Sequence, residues 1–419
     1  MCSLILKECI SYYTSNNSTV YCTMLDATKA FDRVEYCKLF CQLMPRVIPP
    51  IVIRLLLNMY INHTTRITWN GIFSDRFSIK NGVKQGGILS PVLFCIYFDG
   101  LLCKLSKAGI GCFIGNFFVG ALAYADDLVL LAPTPHAMRA MLAVCESYAN
   151  EFSVAFNANK SKCIIIRAQH YSRHASWVNS FTPSFHVGGK LIEFVDNWPH
   201  LGHIITNTMS DISDITSRRN SLVGQINNVL CYFSNLETVT KVKLLKAYCS
   251  SFYGCELWDF WEGGVENFCK AWRQGQRAVW KLPFNTHRRF LPLMCDSLPV
   301  EDEICRRFLS FLRTCVSSQC ELVQFIVRHG LLYGGMFSLS GRNAMFCSNR
   351  FGFTVGDIFK PDCHSNIVKN WCIEARTVED LDAVSVLLEL TFIRDGIFLA
   401  PPGLSRVDIN EFISSISVI

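Results

Sequence analysis

Long apolar runs are missing from this 419-residue chain: the longest, such as Pro91 to Phe98 and Leu128 to Pro133, fall far short of the ~18 residues that a membrane-spanning helix needs. Met1 to Ile10 has no basic stretch leading into a long apolar one, so it does not read as a secretory signal. No two of the 21 cysteines are spaced as CxxC, and the group Cys363, His364 and Cys372 fits no standard zinc spacing. Scattered singly among apolar neighbours, the cysteines read as small buried hydrophobes of a reduced protein. An intracellular location, nuclear or cytoplasmic, is therefore expected. Charge is also scarce, at 18% of residues, and repeats and low-complexity tracts are absent, which excludes wholesale disorder.

What is abundant is apolar and aromatic material. Half of the residues are hydrophobic, with 31 Phe and 8 Trp, enough for two or three packed domains. The net charge of +6 is compatible with a nucleic-acid partner but too mild to argue for one alone.

Strand and helix signals alternate over the first 205 residues. Leu4 to Tyr13 predicts a short helix, and Val20 to Leu25 a buried strand ending at Asp26. Two strand-like segments flank the turn pair Asn70-Gly71. A helix is predicted over Val92 to Leu105, with Ser90 as its N-cap and Pro91 in its first turn. Phe117 to Leu131 is an apolar run broken only by Asp126 and Asp127, the signature of a buried hairpin. Thr134-Pro135 opens a helix whose apolar residues fall at Met138, Met141, Leu142, Cys145, Tyr148, Ala149 and Phe152, all on one face. Further strands are expected at Cys163 to Arg167, Ser184 to Val187 and Leu191 to Val195. Such a β-α-β-β-α-β order gives an α+β fold of the ferredoxin-like, split β-α-β kind. From Asp211 the pattern turns helical, with cuts expected near 207 and near 290.

Asp26 and the Asp126-Asp127 pair end apolar strands, where carboxylates are costly to bury without cations or hydrogen bonds. Brought together in one sheet, they would make an oxygen-only site suited to Mg²⁺. Two such ions can activate an attacking hydroxyl and stabilise a leaving phosphate oxygen. An Ala-Asp-Asp turn by itself is an ordinary solvated turn, so the neighbouring residues decide.

Those neighbours carry a family resemblance. Leu25-Asp26-Ala27-Thr28-Lys29-Ala30-Phe31-Asp32-Arg33-Val34 resembles motif A of LINE and group II intron reverse transcriptases, and Gly82-Val83-Lys84-Gln85-Gly86-Gly87-Ile88-Leu89-Ser90-Pro91 resembles motif B. Tyr124-Ala125-Asp126-Asp127 is similar to motif C, Phe156-Asn157 with Lys160-Ser161-Lys162 to motif D, and His200-Leu201-Gly202-His203 to motif E. The stretch from Lys246-Ala247-Tyr248 to Glu256-Leu257-Trp258 looks like the post-palm region of LINE elements. The resemblance covers residues 20 to 205 in family order and implies a LINE-type (non-LTR) retrotransposon reverse transcriptase, an RNA-directed DNA polymerase.

The resemblance also implies roles. Asp26, Asp126 and Asp127 would hold two Mg²⁺ ions, with Mn²⁺ as an alternative. Ala27 and Phe31 would line the nucleotide site, Phe31 either as an aromatic gate against the ribose 2′-OH or simply as core. Gln85 and Gly86 would lie along the nascent base pair, or form a plain turn before a helix. Lys160 would protonate the leaving pyrophosphate, or be an ordinary surface lysine. Leu201 and Gly202 would form a primer grip, with His200 and His203 structural. The expected architecture is a polymerase palm (1–207), a helical thumb (208–290) and a mostly helical C-terminal region of unassigned role (291–419). Since only 25 residues precede Asp26, a fingers segment is expected to be largely absent and the chain N-terminally truncated.

Read from the residues alone, Lys270, Arg273, Arg277 and Lys281 recur on one helical face, with Trp272 and Trp280 between them, and Arg288 and Arg289 extend the run. This is either a solvated face or a track for a phosphate backbone with stacking aromatics. The expected partners are an RNA template, a DNA primer or target and dNTPs, with no membrane. The other functional class is an inactive retroelement remnant that only binds nucleic acid.

Overall fold

The structure, a computed structural model, describes residues 1–168, 183–288, 290–295 and 297–360. Cys363, His364, Cys372, Arg289 and the rest of the expected C-terminal region beyond residue 360 lie outside the described residues. The described residues divide into two compact units, one of residues 2–198 with 206–209 and one of 199–205 with 210–360. No helix among the described residues is long and apolar enough to cross a membrane.

The first unit opens with α1 (Cys2–Ser15) and β1 (Val20–Leu25). There follow α2 (Tyr36–Leu43), α3 (Pro50–Ile61), the two-residue strands β2 (Thr64–Thr65), β3 (Thr68–Trp69), β4 (Ile72–Phe73) and β5 (Phe77–Ser78), and α4 (Ser90–Lys107). A small hairpin of β6 (Phe113–Ile114) and β7 (Phe117–Phe118) precedes β8 (Ala121–Tyr124), β9 (Asp127–Ala132), α5 (Pro135–Phe152) and β10 (Lys162–Ile166). Then come β11 (His186–Val187), β12 (Lys190–Leu191) and β13 (Glu193–Phe194), while the paired strands β14 (Asn197–His200) and β15 (His203–Thr206) run across the division, residues 199–205 counting with the second unit.

One five-stranded sheet, in the order β13-β10-β1-β9-β8, organises this unit. β1 lies at its centre, antiparallel to both β9 and β10. Val20, Cys22, Met24 and Leu25 are all buried, the continuous apolar run of a strand covered on both faces. On one face Leu25, Leu128, Leu130 and Cys163 join a core with Phe94, Phe98, Met138 and Tyr148 of α4 and α5. α1 packs against β1 and β8, with its Leu4, Leu6, Cys9 and Ile10 buried. α5 forms where the periodicity predicts. Thr134 accepts a hydrogen bond from Ala137 N at 3.1 Å, and a left-handed Ser153 ends the helix. Met138, Met141, Leu142, Cys145, Tyr148 and Phe152 are its buried face, and each large apolar side chain there contributes roughly 1.5–3 kcal/mol. The prediction for Ser90 is corrected: the helix begins one residue early, and the buried Ser90 hydroxyl donates to Lys84 O instead of capping it.

The second unit is helical: α6 (Ile212–Tyr232), α7 (Thr238–Leu244), α8 (Gly264–Trp280), α9 (Phe290–Met294), α10 (Val300–Val316), α11 (Glu321–His329) and α12 (Leu339–Phe351). The described residues on either side of the cut expected near 290 fall in this one unit. Its core crosses that point, with Trp280 Nε1 donating to Cys295 Sγ at 3.4 Å and Arg273 paired with Glu301.

Candidate active site

β1 delivers Asp26, and the β8–β9 hairpin delivers Asp126 and Asp127. The register pairs Leu25 with Leu128 and Tyr124 with Asp127, leaving Ala125 and Asp126 as a two-residue turn. Ala125 takes the positive φ, +53°, that the first position of such a tight hairpin needs. The antiparallel register therefore sets Asp26, one residue past Leu25, beside Asp127, one residue before Leu128. Asp127 senses this crowding: its pKa is raised by burial first, then by the negative charges of Asp126 and Asp26. Three carboxylates that repel one another form a hard, oxygen-only donor set, and their excess charge is what a divalent cation would neutralise. Among the described residues no three His, Cys, Asp or Glu side chains are gathered closely enough to hold a metal ion as they stand.

A second layer fixes Asp26 in place. Its backbone N–H donates to Ser161 Oγ at 3.1 Å and its carbonyl accepts from Asn157 N at 2.9 Å. The fully buried Ser161 in turn donates to Asn157 O at 2.8 Å. Ala27, buried, bridges to Phe156. Asn157 Oδ1 also accepts from Asn159 N at 3.1 Å, forming the turn that presents the exposed Lys160. Ser161 lies within the motif D run but was not among the expected site residues; only its cross-sheet bond to Asp26 marks its part in the site.

Phe31 is half-buried and stacks on the core residue Phe94, ring centroids 4.9 Å apart. Both readings of it thus hold a place: one face is core, and the residue lies on the turn that follows Asp26. Residues 81–85 run back along 31–35, with Val83 N donating to Phe31 O and Gly82 N to Val34 O, each at 2.8 Å. Gln85 is exposed, and its Nε2 donates to Asp32 Oδ1 at 3.0 Å. Gly86, at φ +79°, has open space where a Cβ would stand. These contacts tie the motif A and motif B segments together beside the carboxylates.

Leu201 and Gly202 belong to the second unit. Both take positive φ, +49° and +76°, as a two-residue turn between paired strands demands. Tyr253 OH donates to Leu201 O at 2.9 Å and Arg218 to Gly202 O, while the Arg218 guanidinium lies 5.0 Å from the Tyr253 ring centre. Beneath the turn, buried His203 sits between Asp211 (3.2 Å) and Asp214 (3.1 Å). Asp214 also accepts from Ile204 N and Trp258 Nε1. Burial pushes Asp214 up, but the bonds and charge of His203 outweigh it and hold the carboxyl low. His200, buried, has its pKa pushed down to about 4, chiefly by desolvation. Arg218 and Tyr253 carry no local signal in the sequence, because their partners lie 16 and 52 residues away.

The basic stripe is corrected. Lys270 and Lys281 are exposed, but Arg273 is buried and paired with Glu266 and Glu301. Arg277 spends Nε and Nη2 on Thr286 O at 3.1 and 2.8 Å. Trp272 and Trp280 are buried. The acidic partners, Glu266 one turn or two upstream on α8 and Glu301 on α10, lie outside the run of cations, so the four do not form one free face.

Residues 3–205 match the family described as reverse transcriptase (RNA-dependent DNA polymerase). The Pol polyprotein of the type-2 retrotransposable element R2DM of Drosophila melanogaster is 30% identical over 219 residues, 49% of this chain and 19% of its own. That of the type-1 element R2 of Popillia japonica is 34% identical over 168 residues, 40% and 24% of the two chains. The RNA-directed DNA polymerase of the mobile element jockey of Drosophila funebris is 23% identical over 203 residues, 46% and 21%. The chain thus matches about a fifth to a quarter of the length of these relatives. The apo telomerase structure of Candida tropicalis aligns with 99% of this chain and 56% of its own at 12% identity, but a TM-score of 0.39 carries no argument.

Proposed function

We propose that residues 3–205, which match the reverse transcriptase family and are similar to non-LTR retrotransposon polyproteins, make the chain an RNA-directed DNA polymerase that extends a primer 3′-OH with dNTPs on an RNA template. The observation that carries this is the strand register that sets Asp26 beside Asp127, whose pKa is raised by burial and then by the charges of Asp126 and Asp26. In this reading the five-stranded sheet is a ferredoxin-like palm, and the helices from 212 onward begin a thumb.

Asp26 and Asp126 would hold two Mg²⁺ ions, with Asp127 supporting them. Bound there, the cations would lower the pKa of the primer hydroxyl and neutralise charge on the phosphates. The protein's own groups do the rest. Phe31 closes the space a 2′-OH would need, and Ala27 keeps the floor of the nucleotide site small. Gln85 and Gly86 let the backbone come close to the new base pair. Lys160, on the Asn157 turn, is placed to give a proton to the departing pyrophosphate. Leu201 and Gly202, clamped by Tyr253 and Arg218, hold the primer strand. A nuclear or cytoplasmic location fits a template and primer of this kind. The inactive remnant is not favoured, because residues 3–205 match the reverse transcriptase family and the similar proteins include an RNA-directed DNA polymerase of a mobile element.

The test is primer extension by the purified chain on a homopolymer RNA template with a DNA primer and the complementary dNTP. Extension that requires Mg²⁺ and stops with EDTA is expected. Its absence under all divalent cations would remove the enzymatic reading.

A further inference from the structure

Residues 66–78 are exposed without interruption. They carry the tight hairpin β3–β4, in which Trp69 pairs with Ile72 across the Asn70-Gly71 turn. Trp69 is 77% exposed, Ile72 75% and Phe73 55%. A two-stranded ribbon with neither face against a core is marginal by itself, and large apolar side chains left in water mark a binding surface. The question is what covers it.

Charge selects the occupant. Arg66, Arg76, Lys80 and Lys84 are all exposed on this segment against one acidic residue, Asp75. Arg66, Arg76 and Lys80 have no carboxylate partner among the described residues, and the Arg66 guanidinium lies 3.9 Å from the Phe73 ring centre. Exposed aromatics interleaved with unpaired cations suit bases that stack and phosphates that need counter-charge. A protein partner would need acidic groups here and would leave the planar rings without a specific role. The hairpin is also tethered to the chemistry: three residues past β5, Asn81 bridges to Glu35, and residues 82–85 bond to Phe31, Asp32 and Val34.

We propose that the β2–β5 hairpin, through Trp69, Phe73, Arg66, Arg76 and Lys80, is a binding platform for single-stranded nucleic acid that leads toward the Gln85–Gly86 segment. It deepens the polymerase reading, whose template has to reach the site unpaired. The binding itself can be tested apart from catalysis.

The experiment is fluorescence anisotropy of the full chain with a labelled oligo(A) RNA, in EDTA and without dNTP, over a range of salt. An oligo(dA) of the same length and the corresponding duplex serve as comparison arms. Trp69→Ala with Phe73→Ala is expected to weaken single-strand binding by roughly 5- to 100-fold, the range of one lost base stack, at unchanged salt slope. Arg66→Gln, Arg76→Gln and Lys80→Gln together should flatten the slope by up to about 0.7 per lost phosphate contact. Trp69→Tyr, which keeps a stacking ring, should restore most of the affinity. Equal loss for RNA and DNA supports a platform for either strand; loss for RNA alone supports a template platform. Unchanged single-strand affinity in both variants overturns the proposal. So does a loss no larger for single strands than for the duplex, or an effect confined to self-association in sedimentation. A wild-type chain that binds through the hairpin yet never extends a primer would refute the polymerase reading and leave this one standing.

Discussion

Asp127 illustrates how a functional carboxylate weighs on the fold. Its folded pKa is raised above the ordinary value by burial and by Asp126 and Asp26, so the native state holds the proton more tightly than the unfolded chain. Stability then falls as pH rises through that interval, and the penalty is fully present at neutral pH. Asp127→Asn is therefore expected to raise Tm at pH 7 and to lose that advantage below pH 4, while slowing extension; an unchanged or lower Tm at pH 7 would contradict the electrostatic account. Phe31 makes the complementary case, since its stack on Phe94 leaves only part of the ring for the substrate. Phe31→Ala should raise the rNTP/dNTP incorporation ratio by about tenfold or more and also cost roughly 3–5 kcal/mol of stability at most, because the ring is only half-buried. An unchanged ratio in steady-state kinetics would leave Phe31 as core alone. Charge interrupting apolar strands singled out Asp26, Asp126 and Asp127 in the sequence, and only the motifs around them gave these residues an expected role. It hid Ser161, whose partner is 135 residues away.

At the level of elements, helices were legible where one face is apolar, as in α5, and obscure where polar partners decide. α8 shows the reason. Its cations follow helical spacing, yet Glu301 of α10 reaches Arg273 from 28 residues downstream, and burial with a paired carboxylate is invisible to a local charge pattern. α12 supplies a test of packing in the same unit. A Cβ on Gly341 would stand 2.7 Å from Gly330 O and closer still to Gly335 O, backbone atoms that cannot turn aside. Gly341→Ala is expected to destabilise by about 1–3 kcal/mol, read as a lower denaturation midpoint at an unchanged m-value; a neutral or stabilising change would mean that α12 and the 330–335 turn are less tightly joined than described. The hairpin around Trp69 gave its turn away in the sequence through Asn70-Gly71, but the unbroken exposure of residues 66–78 emerged only in the fold.

For the whole molecule, the order of motifs along the chain was readable because each is a local turn or strand end, whereas the passage between units was not. A single cut near 207 becomes an interleaving in which 199–205 and 206–209 belong to different units, since strand pairing and helix packing there draw on different partners. The net charge of +6 sets only a weak general attraction to nucleic acid, so the proposed activity is assigned to the carboxylates and not to the overall field. That is the central claim, and one measurement reaches it most directly: single-turnover primer extension by Asp26→Ala and Asp126→Ala beside wild type, with circular dichroism and Tm recorded on the same samples. Loss of extension by at least about a thousandfold in both variants, with spectra unchanged and Tm equal or higher, is the predicted result; extension at the wild-type rate by either variant would contradict it.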